Sequence, residues 1–152
     1  MRTVGWICVA LSLALPVMAD SAVAADADVI RDFGILGRNA IDCAAPFGRE
    51  NPYVIYAITP TGEVTRTLKM VAGAAGTFVI RNLRTASQNT LQYDETGTTS
   101  MFAITLIKQN DGTLRSWRSV QTSGSGKVEI LIEDGKFKSS GRDTPAFNFC
   151  DK

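Results

Sequence analysis

The 152-residue chain contains no histidine. Without an imidazole, neither a Ser-His-Asp nor a Cys-His nucleophile can be assembled, and the His-containing zinc and iron sites are excluded with them. Charge of one sign is also missing: 16 Lys and Arg stand against 15 Asp and Glu, a formal net charge of +1. That balance offers neither the basic footprint that releases phosphate counterions from a nucleic acid nor a polybasic membrane anchor. No apolar run approaches the roughly 20 residues of a spanning helix. The longest, Val4 to Leu15, ends at Pro16. Calcium loops of the Asp-x-Asp-x-Asp type are absent, as are fixed-period repeats and any stretch of ten residues holding a 3.6-residue period.

What is there begins with a leader. Arg2, the apolar run and the small residues after it compose a secretory signal over residues 1–25, with cleavage expected after Ala19, Ala24 or Ala25 and the last two favoured. The expectation is export to the periplasm, with no stable membrane anchor. Of the three cysteines, Cys8 falls in the leader and is discarded, leaving Cys43 and Cys150 in a compartment that permits disulfides. An even pair is read as one structural bridge; no C-x-x-C spacing points to redox chemistry. Closing a loop of roughly 100 residues removes, in the chain-entropy model, about 4 to 5 kcal/mol of unfolded-state freedom.

The mature part, roughly 125 residues, suits one domain, 29–152. A single helical candidate, Ala27 to Gly34, is at most two turns, with Val29, Ile30 and Phe33 on one side. The rest alternates eight short β-rich runs with turn signals. The runs are ILGRNAIDC, PYVIYAITP, EVTRTLKMVA, TFVIRNLRT, TLQYDE, SMFAITLIKQ, TLRSWRSVQT and KVEILIED. The breakers between them include TPTGE, GAAG, NDG and SGSG, each with a residue suited to a turn. Eight strands without intervening helices predict an all-β, eight-stranded, antiparallel up-and-down barrel. Closure removes the edges that would otherwise invite aggregation. In EVTRTLKM, Val64, Arg66, Leu68 and Met70 share one face. SMFAITLIK is apolar on both faces and should be covered twice or border a cavity, while KVEILIED places Val128, Ile130 and Ile132 together.

Little of this carries chemistry. SGSGK lacks the first glycine of a phosphate loop, has Val128 where a metal-binding hydroxyl belongs, and precedes a strand, so it is read as a hairpin loop. A glycosidase-type carboxylate pair needs no histidine, but Asp42, Glu63, Asp94, Glu95, Glu129, Glu133 and Asp134 are read as solvated surface charge. Arg66, Arg81 and Arg118 stand among apolar neighbours. An arginine on a packed face must find a carboxylate, carbonyls, an aromatic plane or an acidic ligand. Either it stacks on Trp117 or caps a barrel end, or Arg66 with Tyr56, Tyr93 or Trp117 lines a cavity for a small ligand, an anion among the candidates. The sequence leaves open which strand face is interior.

The segments DFGILGRNAIDC, VTRTL, IEDGKF and TPAFNFC together resemble a group of small periplasmic proteins of alphaproteobacteria and, more broadly, the lipocalin-like (calycin) β-barrels. The resemblance implies a glycine opening the first barrel strand and a C-terminal cysteine returning to it, hence a Cys43–Cys150 bridge closing the barrel. Such barrels usually place a tryptophan against an arginine at the barrel floor; Asn39 stands there, and Trp117 is the ring available to replace it. The expected function is non-enzymatic, with no cofactor and no metal: binding of a small molecule or an envelope protein. The alternative is inhibition of a lysozyme or protease through an exposed loop, of which CAAPFGRENP, GAAG and SGRDTPAF are candidates.

Overall fold

The structure, a computed structural model, describes residues 19–71 and 74–151. The apolar run Val4–Leu15 and Cys8 lie outside the described residues. One helix, α1 (Ala19–Phe33), precedes β1 (Gly37–Ala40), β2 (Tyr53–Ile58), β3 (Val64–Val71), β4 (Ala74–Ser87) and β5 (Thr90–Thr96). Then come β6 (Ser100–Lys108), β7 (Leu114–Ser123), β8 (Val128–Glu133), β9 (Lys136–Phe137) and β10 (Ala146–Phe149).

Every neighbouring pair from β1 to β9 is antiparallel and sequential, and β10 pairs with both β1 and β7. The closed ring therefore has eight strands, β1 to β7 and β10. Each of the eight expected runs contains a strand, but the closing member is the tail segment AFNF and not KVEILIED. Strand β7 is shared along its length: Leu114 and Arg115 face β10, whereas Ser119 to Thr122 face β8. The hairpin β8–β9 thus branches from the ring. Cys43 and Cys150 form a disulfide across 107 residues and tie the chain after β1 to the residue after β10.

Period-two alternation sends Val54 and Tyr56, Val64, Ile80, Leu91 and Tyr93, Ile104 and Leu106, and Leu114 into the ring. The outer face of β6 is not covered, as Met101 is 53% exposed; its inner face borders a cavity through Leu106. Val128, Ile130 and Ile132 do not share a face. Ser119 pairs with Ile132 and Val120 with Ile130, so one residue of β8 bulges out of register. Val128 is left 62% exposed while Ile132 faces the cavity.

The helix is longer than the two turns expected, because the alanine-rich segment before Asp26 favours helix strongly and simply extends it. It covers the barrel end that carries the β2–β3, β4–β5 and β6–β7 turns. Its buried residues, Asp26, Ala27, Ile30 and Phe33, all lie beyond the expected cleavage positions. Gly34, at φ +69°, caps it with a bond from its N–H to the Ile30 carbonyl. Two polar contacts fix the helix. A bulge in β4 withdraws the Leu83 N–H from the ladder, and the buried Asp26 carboxylate accepts it at 2.8 Å. Lys108 places its ammonium 4.3 Å from the centre of the Phe33 ring and donates to the Phe33 carbonyl, where the helix dipole favours a cation.

At the seam, Gly37 (φ +96°) opens β1, where a Cβ would come within 3.0 Å of the Asp151 carboxylate. That approach lets Asp151 accept the Arg38 N–H at 2.6 Å. The tail is therefore held by backbone pairing, a carboxylate and a disulfide together.

Candidate functional site

Alternation places Tyr56 on β2, Arg66 on β3 and both Tyr93 and Glu95 on β5 inside the ring. Tyr56 and Arg66 are register partners, and Glu95 lies on the far side of β4. Glu95 and Arg66 meet there: Nη1 of Arg66 donates to Oε1 at 2.8 Å and to Oε2 at 2.7 Å. The two side chains are 4% and 16% exposed, so this pair is desolvated on both sides. The hydroxyls of Tyr56 and Tyr93 complete the cluster at 3.3 Å from one another.

The electrostatics follow from burial. Burial disfavours a charged guanidinium, but Tyr93, Tyr56 and Glu95 outweigh it and hold the Arg66 pKa above its ordinary value. Burial pushes the Glu95 carboxyl up, opposed by the Arg66 charge and its hydrogen bonds. Where both groups are ionised, the two bonds from Nη1 to Glu95 are charge-assisted.

Burial also raises both phenols, Tyr93 the further. A raised folded-state pKa binds protons more tightly than the unfolded chain does. The resulting stability is full below the unfolded value near pH 10 and is lost as pH climbs through the folded values. In an alkaline titration, phenolate absorbance from Tyr56 and Tyr93 should therefore grow only as β-sheet circular dichroism disappears. More than one of the three tyrosines ionising with the sheet signal intact would overturn this.

Beside the cluster is a cavity of about 190 Å³. Val54, Leu68, Leu106, Leu114 and Phe147 give it apolar walls, and Tyr56, Arg66 and Asn39 its polar groups. Residues from both branches of the seam, Ile132 and Phe137 on one and Thr144 and Pro145 on the other, also line it. The cavity thus occupies the fork where β7 changes neighbours. Thr144 holds the branches together, its hydroxyl donating to the Ser116 carbonyl and its N–H to the Gly135 carbonyl, each at 2.8 Å. Asn39 is fully buried, with Nδ2 directed at the Ile35, Gly37 and Val54 carbonyls at 3.1 to 3.3 Å, and its Oδ1 has no partner among the described residues.

Three of the four expected ligand residues, Arg66, Tyr56 and Tyr93, come together here. Trp117 does not. It is the extra residue of a bulge, since Thr105 pairs with Arg118 and Leu106 with Ser116, and its ring packs on the β8–β9 turn, where a Cβ on Gly135 would lie 3.2 Å away. It therefore neither stacks on Arg66 nor replaces the ring missing at Asn39. Arg81 pairs with Glu63 in a half-exposed bridge, and Arg118 is exposed.

The reading of Glu95 as solvated charge is also wrong: it is 3% exposed and paired with Arg66, the member of the cluster that sequence reasoning missed. A signal was present: in TLQYDE it shares a face with Leu91 and Tyr93, as Arg66 does with Val64 and Leu68. One acid and one base, each on a packed face, are expected to meet. Among the described residues no group of three or more acidic, cysteine or histidine side chains converges to hold a metal ion. No family model matches the chain, and neither a curated protein nor a solved structure matches it.

Proposed function

We propose that the protein is an exported, periplasmic, non-enzymatic binder that takes a small molecule into the cavity at the seam of its barrel. The observation carrying this reading is the pairing of apolar walls with a few fixed polar groups, the usual constitution of a small-ligand site. Arg66 and Tyr56 are held by Glu95 and Tyr93, so the polar groups are pre-positioned before any ligand arrives. The leader supports export. The resemblance to small alphaproteobacterial periplasmic proteins and lipocalin-like barrels supports a carrier role, and the absence of histidine together with the engagement of Glu95 by Arg66 argues against hydrolytic chemistry.

Native mass spectrometry of protein purified from its own envelope should show a co-purifying small molecule that is lost on unfolding. Ser116→Leu, which adds apolar volume to the cavity wall, should abolish that extra mass while raising stability by about 0.5–2 kcal/mol, the usual return on cavity filling. Retention of the ligand by this variant would place it elsewhere and sink the reading.

One observation favours the alternative, an inhibitor of a lysozyme or protease. The loop between β1 and β2 is rigidly built. The Asn51 side chain donates to the Asp42, Ala45 and Pro46 carbonyls and accepts from the Asp42 N–H, and the Tyr53 hydroxyl donates to the Ala45 carbonyl. Arg49 and Glu50 are presented outward on it. A co-purifying muramidase or protease in the same spectra would favour this role.

A further inference from the structure

Among the described residues lining the cavity, Arg66 alone carries a formal charge. That charge is already met, because Glu95, which is not itself in the wall, takes both hydrogen bonds from Nη1. A ligand carboxylate would bring a second anion into a desolvated site whose one cation is matched, and a ligand cation would meet Arg66 directly. A neutral acceptor meets neither obstacle. The Nε and Nη2 hydrogens of Arg66 take no part in the Glu95 bonds, leaving them for the neighbouring Tyr56 and for a ligand.

On these grounds, and resting on the cavity reading above, we infer that the ligand is a neutral, single-ring-sized molecule carrying a carbonyl or similar hydrogen-bond acceptor, and that Glu95 is the residue that excludes anions. The size limit comes from volume: a cavity of roughly 150 Å³ accepts benzene, so about 190 Å³ accepts one ring and a small substituent. Glu95 acts through Arg66, as a specificity-determining neighbour outside the wall.

The test titrates nitrogen-15-labelled protein near neutral pH with four probes of nearly equal shape: benzamide, acetophenone, benzoate and toluene. Backbone amide shifts of Tyr56, Leu68 and Phe147 report occupancy. Benzamide and acetophenone should bind tightest, with benzoate weaker by about tenfold or more. In Glu95→Gln, which keeps the side-chain shape and removes its charge, the order should reverse in favour of benzoate, a change that loss of structure would not produce.

Benzoate matching benzamide on the unaltered protein would overturn the inference, as would toluene matching benzamide or an unchanged order in Glu95→Gln. Each of those results would leave the cavity reading standing. If no probe moves the cavity amides, the cavity reading fails and the inference fails with it.

Discussion

Replacing Glu95 with alanine should lower stability by about 3–5 kcal/mol, because it leaves the Arg66 guanidinium desolvated and unpaired inside the ring. Arg66→Ala should cost a similar amount, by stranding a carboxylate that is 4% exposed. The double substitution Arg66→Met with Glu95→Leu behaves differently. Removing both charges removes the desolvation penalty along with the attraction, so the double variant should fall within about 1 kcal/mol of the parent or exceed it. Denaturant midpoints of the parent, Arg66→Met, Glu95→Leu and the double variant close a double-mutant cycle. A double variant as unstable as the sum of the two singles would show that the pair is not coupled. The expected pattern also bears on the proposed function: a pair that adds little net stability is what the selectivity role proposed for Glu95 requires.

Removing the disulfide by Cys43→Ala with Cys150→Ala should cost about 2–5 kcal/mol. The separation of 107 residues makes the unfolded-state constraint large, and on the folded side the bridge secures a closing strand only four residues long. Reduction of the unaltered protein should give the same loss. Amide exchange at the seam should quicken first, at Cys150, whose N–H donates to the Arg38 carbonyl, and at the β1–β10 pairs Asn39–Phe149 and Ala40–Asn148. A loss below about 1 kcal/mol would mean that the backbone pairing and Asp151 hold the seam unaided.

The ring was largely legible in the sequence, because alternation and turn residues are local signals and seven of the eight expected runs became its strands. EVTRTLKM shows this at its clearest: Val64 and Leu68 are placed inward, and so is Arg66, the charge that defines the site. What could not be read depends on register between distant strands. TPAFNFC has only four strand residues, too few to alternate convincingly, and becomes a strand because β1 and the first part of β7 both lack a neighbour there. Trp117 and Val128 were misassigned for one reason: a single bulged residue reverses the face of everything beyond it, and bulges at Ser116–Arg118 and Ile130–Ile132 leave no mark in composition. Glu95 was missed differently. Its inward phase was visible, but the partner that makes burial tolerable lies two strands away.

The division of β7 between two neighbours has a consequence for assembly. A chain emerging from its amino end can form every hairpin from β2 to β9 and still have an open sheet, with β1 unpaired along one side and the first residues of β7 along the other. Only when the last strand and Cys150 arrive do these edges disappear, in one step, and the covalent lock becomes possible at the same moment. Closure of the ring therefore waits on β10, the one strand that meets β1 and β7 together.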